Sequence, residues 1–177
     1  MNIILFGYRG CGKTTVGKLL ANKLWKDFVD TDDLVRQRFD GQDIATIWQQ
    51  HGEHAFRQAE VEVTAHVLAL DNHVVALGGG TLMQPAARES VADAADIKRI
   101  YLSCSPTTLL QRINADAGTD DQRPSLTGAG SATDAGLAEI ERVLAERDPV
   151  YRAAADAVFD VTFCTPEQVA SHLVKLV

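Results

Sequence analysis

The sequence predicts an α/β protein, a three-layer sandwich around a central, parallel, five-stranded sheet. Three observations carry this expectation. Short apolar runs alternate with longer stretches of helical periodicity over the whole chain. The glycine-rich and acidic segments fall at the ends of the first three runs, where ligands bind on open parallel sheets. No internal repeat and no linker divides the 177 residues, so residues 1–177 read as one domain.

The elements follow in order. Residues 3–6 are a buried-strand run that enters a glycine-rich segment. A helix is predicted over about 13–25, with Val16, Leu19, Leu20 and Leu24 on one face. Phe28-Val29-Asp30 is a short second strand. A helical region spans about 43–70, with a break near Gly52. Residues 73–77 form the third strand and end in Gly78-Gly79-Gly80. Residues 97–103 form the fourth, and Pro106 suits the first turn of the helix after it. The stretch 116–133, rich in Gly, Asp, Ser and Thr, reads as a mobile loop. A helix then runs to about 154, a fifth strand lies near 157–161, and a last helix starts at Pro166.

Composition excludes several classes. Hydrophobic residues make up 46% and charged residues 23%, ordinary values for a soluble globular chain. A net charge of -7 argues against a general nucleic-acid binder, which usually presents a basic face, but not against ATP in a locally positive pocket. Cys11, Cys104 and Cys164 are widely spaced and odd in number, so they suggest neither a zinc cluster nor a disulfide framework. The apolar start is too short for a signal peptide, and no apolar run is long enough to span a membrane. The expectation is a cytoplasmic protein without membrane or nucleic-acid partners.

The strongest chemical signal is Gly7-Tyr8-Arg9-Gly10-Cys11-Gly12-Lys13-Thr14, followed by Thr15. It has the P-loop spacing between a strand and a helix. In such a loop backbone N–H groups cradle phosphate oxygens, and the helix start adds its positive dipole end. Lys13 reaches the β- and γ-phosphates, and the Thr14 hydroxyl is a magnesium ligand. In Asp30-Thr31-Asp32, residues two apart on a strand would project two carboxylates beside that loop. One could hold magnesium through water and the other meet a substrate hydroxyl; Asp32 could also cap the helix that follows. Three consecutive glycines cost conformational entropy and add nothing to a core, which suits close approach of backbone to a ligand. Periodicity alone would leave Arg57 and Arg147 on solvated helix faces. Arg123 sits in the polar loop, and a loop that closes over phosphates needs a cation. Cys11 lies near a helix N-terminus and a lysine, a setting that can make a thiol reactive.

Together these segments resemble the shikimate kinase family, in order and over almost the whole chain. The motifs are the P-loop 7–15, Phe28-Val29-Asp30-Thr31-Asp32, Phe56-Arg57 with Glu60, Gly78-Gly79-Gly80, Arg123-Pro124-Ser125-Leu126 and Arg147-Asp148-Pro149-Val150-Tyr151. The resemblance implies a fold like the nucleoside monophosphate kinases, with a substrate-binding helical region at about 32–60 and a mobile lid at about 113–130. It implies ATP and Mg2+ as cofactors, shikimate as substrate and a monomer. Gly10, Cys11, Gly12, Lys13, Thr14 and Thr15 would bind ATP, and Thr14 and Asp30 would hold the metal. Asp32 would bind the attacking hydroxyl. Arg57 and Arg147 would bind the carboxylate, with Gly78, Gly79 and Gly80 beside the substrate and the Gly79 N–H donating to it. Arg123 would come down with the lid onto the phosphates, and Arg112 and Pro166 would sandwich the adenine.

Two features depart from many family members: Arg9 and Cys11 occupy P-loop positions that are often small or apolar, and the lid region is longer than in compact members. The rival readings are a gluconate or nucleoside kinase and a non-catalytic nucleotide-binding regulator. A pair of arginines suits an acid substrate better than a nucleoside, and a regulator should have lost Lys13, Asp32, Arg57, Arg123 or Arg147, all of which are present. No Asn-Lys-x-Asp string supports a GTPase.

Overall fold

The computed structural model describes residues 1–116 and 136–177. Five strands, β1 (Asn2–Phe6), β2 (Asp27–Asp30), β3 (His73–Ala76), β4 (Ile97–Ser103) and β5 (Ala157–Asp160), make one sheet in the order β2-β3-β1-β4-β5. Every pairing is parallel, with Ile4 opposite Val75 and Arg99, and Leu102 opposite Phe159. The seven α-helices among the described residues are α1 (Lys13–Leu24), α2 (Thr31–Arg38), α3 (Ile44–Leu68), α4 (Pro85–Asp93), α5 (Pro106–Asp116), α6 (Leu137–Ala154) and α7 (Pro166–Leu173).

The period-2 alternation of β1 explains the layers. Ile3 and Leu5 point into a core shared with Val16 and Leu20 of α1, Leu109 of α5, Ile140 of α6 and Val169 of α7. Ile4 and Phe6 point into the opposite core, with Val35 of α2, Ile47, Phe56 and Val63 of α3, and Tyr151 of α6. A central strand buried on both faces is near-continuously apolar, and β1 is buried at all five positions; its one polar residue, Asn2, donates to the Leu70 carbonyl and accepts from the His73 N–H. No described helix is long and apolar enough to cross a membrane.

Most predicted elements stand where periodicity put them, but three differences have physical reasons. The first helix ends at Leu24, because Trp25 turns left-handed (φ 55°) and its N–H caps the helix. Helix α4 was not anticipated, and α2 entered only as a helix that Asp32 could cap, without a range of its own. Both are short, and α2 buries only Thr31, Asp32 and Val35, which leaves a weak periodic signal. Finally, Asp30 and Asp32 are not two positions of one strand. The strand stops at Asp30, Thr31 opens α2, and the Asp30 carboxylate caps that helix by accepting from the Asp32 N–H at 3.0 Å. The cap is therefore Asp30 rather than Asp32. The predicted break in the long helix is real: Gly52 (φ 82°, ψ 161°) interrupts α3 in a backbone region that essentially only glycine enters.

Candidate active site

The P-loop joins β1 to α1. Gly7 turns the chain away from the sheet so tightly that a Cβ there would lie 2.5 Å from the Leu102 carbonyl. Gly12, at φ 94°, is the N-cap of α1, so the helix starts with its N–H groups facing the loop. The Lys13 ammonium bonds the carbonyls of Gly7 (3.0 Å) and Tyr8 (3.1 Å), and the Cys11 N–H donates to Tyr8. Thr14 and Thr15 lie exposed on the first turn of α1, and Gly10 packs against Ile113 of α5. The Thr14 hydroxyl donates to Asp30 Oδ2 at 2.7 Å. A hydroxyl and a carboxylate that converge at a phosphate loop fit Mg2+, which takes few protein ligands and completes its shell with water and phosphate oxygens. Cys11 is 1% exposed, so the fold shields the thiol that the sequence marked as a reactivity candidate.

Beside the loop lies a cleft that opens to solvent. Asp32 from α2 and Arg57 and Glu60 from α3 form one wall, Gly79 and Gly80 form the floor, and Arg147 from α6 closes it. Ile44, Trp48 and Phe56 add an apolar side, and Arg9 enters from the P-loop. The two halves of α3 meet across the Gly52 break, where the Trp48 and Phe56 rings are tilted 5.8 Å apart. The Arg57 guanidinium lies 5.3 Å from the Trp48 ring centre and 5.4 Å from that of Phe56. It also donates to Glu60 Oε2 at 2.7 Å, within a pair that is largely withdrawn from water. Arg57 is thus aimed by a cation–π contact and an ion pair together.

The triple glycine is explained by what surrounds it. A Cβ on Gly78 would lie 2.6 Å from Asp32 Oδ1 and 3.0 Å from the Thr81 hydroxyl, and one on Gly80 would lie 2.7 Å from an Arg57 nitrogen. The Gly78 N–H donates to Thr31 Oγ1 at 2.9 Å, which ties β3 to α2. The Gly79 carbonyl accepts from Arg147 (3.0 Å) and from the Tyr151 hydroxyl, so α6 is fastened to the cleft floor at two positions one turn apart. A second tie holds α6 to the sheet, where the Tyr101 hydroxyl of β4 donates to Asp148 at 2.8 Å.

Burial sets the site's electrostatics. It pushes the Glu60 carboxyl above its ordinary value, against the pull of the Arg57 charge. Burial, followed by the neighbouring Asp32 charge, also raises Asp30, and the Thr14 hydroxyl opposes them. Burial lifts the Tyr151 hydroxyl to about 12, so it stays a proton donor to Gly79 at neutral pH.

The fold therefore gathers Asp32, Arg57, Gly79, Gly80 and Arg147 in one cleft, with Gly78 packed behind Asp32; Lys13, Thr14 and Asp30 do not line it, and Thr14 and Asp30 meet at the start of α1. Arg112 and Pro166 lie apart from it. Arg112 donates to the Val161 carbonyl at 2.9 Å, and Pro166 is the first residue of α7, next to the Thr165 cap. Both border the segment after β5. Arg123, and residues 117–130 of the expected lid, lie outside the described residues. Sequence reasoning missed Arg9, Ile44 and Trp48 as cleft residues, and Thr31 and Tyr101 as supports. Only Arg9 carried a signal, a charged side chain inside a phosphate loop.

Known proteins share this chain's sequence pattern and fold. The family model described as "Shikimate kinase" matches residues 9–177. A shikimate kinase of Rhodopirellula baltica is 37% identical over 98% of this chain and 89% of its own. Shikimate kinase 2 of an Enterobacter species is 40% identical over 97% and 92% respectively. Among solved structures, shikimate kinase from Acinetobacter baumannii in complex with shikimate superposes with a TM-score of 0.85 at 30% identity, covering 99% of this chain and 91% of that one. The Aquifex aeolicus enzyme gives 0.77 at 26% identity, covering 99% and 95%.

Proposed function

The chain belongs to the shikimate kinase family, and on that premise we propose how its residues divide the work of the reaction. The reaction is the ATP- and Mg2+-dependent phosphorylation of the 3-hydroxyl of shikimate to shikimate 3-phosphate, with release of ADP, a step toward chorismate and the aromatic amino acids. The nucleotide phosphates sit in the loop of Gly10, Cys11, Gly12, Lys13, Thr14 and Thr15. Lys13 leaves its loop carbonyls for the β- and γ-phosphates. Thr14 and Asp30 hold the metal, which neutralises charge on the phosphate oxygens when bound. Arg57 and Arg147 grip the shikimate carboxylate, since the planar guanidinium matches a carboxylate in two parallel hydrogen bonds. Asp32 orients the attacking hydroxyl; in a loose transition state positioning matters more than strong base catalysis. Arg123 supplies a further cation from a lid at 113–130, and Arg112 and Pro166 flank the adenine.

The observation that carries this division is the meeting of two arginines and Asp32 in one cleft beside the phosphate loop. The same reading takes the chain as one domain with its acid-binding region at 32–60, monomeric and cytoplasmic, with no nucleic-acid or membrane partner. The test is equilibrium binding to Arg57→Ala and Arg147→Ala. Each should weaken shikimate by about 10- to 100-fold, the cost of leaving one charged contact unmade, and leave ATP within about twofold. Equal losses of ATP and shikimate affinity would refute the carboxylate assignment.

A further inference from the structure

Arg9 is the third residue of the P-loop, yet its side chain lines the acid cleft. Its Nε and Nη2 are shut away from solvent and make no hydrogen bond among the described residues. Leaving the donors of a cation unpaired in a buried place is costly, and folds tolerate it where a ligand supplies the acceptor. The other two arginines of the cleft are already engaged, Arg57 with Glu60 and Glu53 and Arg147 with the Gly79 carbonyl. Burial pushes the Tyr8 hydroxyl above its ordinary value, the nearby Arg9 charge opposes that rise, and that hydroxyl too lacks a bond of good geometry. The Arg9 backbone is wedged against the cleft floor, its N–H nitrogen 3.4 Å from where a Gly79 Cβ would stand. One residue therefore belongs to both the wall of the phosphate cradle and the acceptor cleft. Two guanidinium forks already suffice for one carboxylate, so the anion left for the third is the one that crosses the seam.

We propose that Arg9 is a catalytic residue that binds the transferred phosphoryl group on the acceptor side of the cleft. In the transfer, the bond from the γ-phosphorus to the ADP oxygen breaks as the acceptor oxygen bonds to phosphorus, and the hydroxyl proton leaves by way of Asp32. Charge spreads over the three equatorial oxygens during this passage, and a preorganised guanidinium stabilises it most there. Arg9 consequently holds the phosphate of the product more than any group of the free acceptor. This inference rests on the reading of the cleft as the shikimate site.

The test uses Arg9→Met, which keeps length without charge, and Arg9→Lys, which keeps charge without the fork, both checked for unchanged melting. Titrations with shikimate and with shikimate 3-phosphate are run beside steady-state kinetics. For Arg9→Met, kcat should fall by roughly 100-fold, as when one preorganised donor is removed from an active site. Affinity for shikimate 3-phosphate should fall by about tenfold or more, while affinity for shikimate stays within about twofold. Arg9→Lys should recover part of kcat. Equal loss of shikimate and shikimate 3-phosphate would make Arg9 a carboxylate ligand and overturn the proposal, as would wild-type kcat in Arg9→Met. Should shikimate fail to bind the wild-type protein, the reading of the cleft fails first, and Arg9 with it.

Discussion

At the scale of single residues, the cleft works by close approach, and a methyl group is enough to disturb it. Gly78→Ala would drive a Cβ to 2.6 Å from Asp32 Oδ1, with Glu60 and Thr81 also within 3.1 Å. The carboxylate that aims the acceptor hydroxyl must then shift. A misplacement of about 1 Å can cost on the order of 100-fold in rate. Gly78→Ala should therefore lower kcat by about that factor while ATP binding holds, and steady-state kinetics with nucleotide titration checks it. Glu60 gives a pH signature. Its folded pKa lies above the unfolded value because burial disfavours the charged form, so the folded state binds the proton more tightly. Its contribution to stability is present below the unfolded pKa and is lost as pH rises through the raised folded value. The melting temperature of the wild type minus that of Glu60→Gln should accordingly decline across that window; a difference that rises with pH would contradict the burial argument.

At the scale of elements, the site depends on how three helices are docked. The Gly52 break lets the N-terminal half of α3 present Trp48 and the C-terminal half present Phe56 and Arg57 to the same cleft. Gly52→Ala meets no neighbouring atom, so its cost is purely one of backbone, about 1–3 kcal/mol for a non-glycine residue in that region. Urea unfolding reads that loss. Helix α6 is held by Tyr101 to Asp148 and by Tyr151 to Gly79, and just before these ties it sets Arg147 over the floor. Tyr101→Phe removes one such hydrogen bond, worth about 1 kcal/mol, and should lower Tm by about 2–4 °C. Because Arg147 then loses part of its support, the KM for shikimate should rise while that for ATP stays put.

At the scale of the whole molecule, what the sequence made legible was what repeats or what is chemically unusual. Five apolar runs gave five strands, and the P-loop, the paired aspartates and the triple glycine marked the carboxyl edge of the sheet. Less legible was whatever depends on neighbours distant in the chain. Nothing in the sequence alone says that Arg57 rests on Trp48, that Tyr101 reaches Asp148, or that Thr31 accepts from Gly78, 47 residues away. The aspartate pair shows the limit well: the spacing predicted two carboxylates near the loop, but only the turn from β2 into α2 makes Asp30 a helix cap and puts Asp32 in the cleft. The central claim is that this cleft delivers one particular acid to the P-loop. ADP release by the purified protein with Mg2+ and ATP, measured with shikimate, gluconate, a nucleoside or no acceptor, tests it most directly. Release that depends on shikimate alone is the predicted result. Release with another acceptor but not with shikimate, or tight ATP binding with no release under any condition, would contradict it.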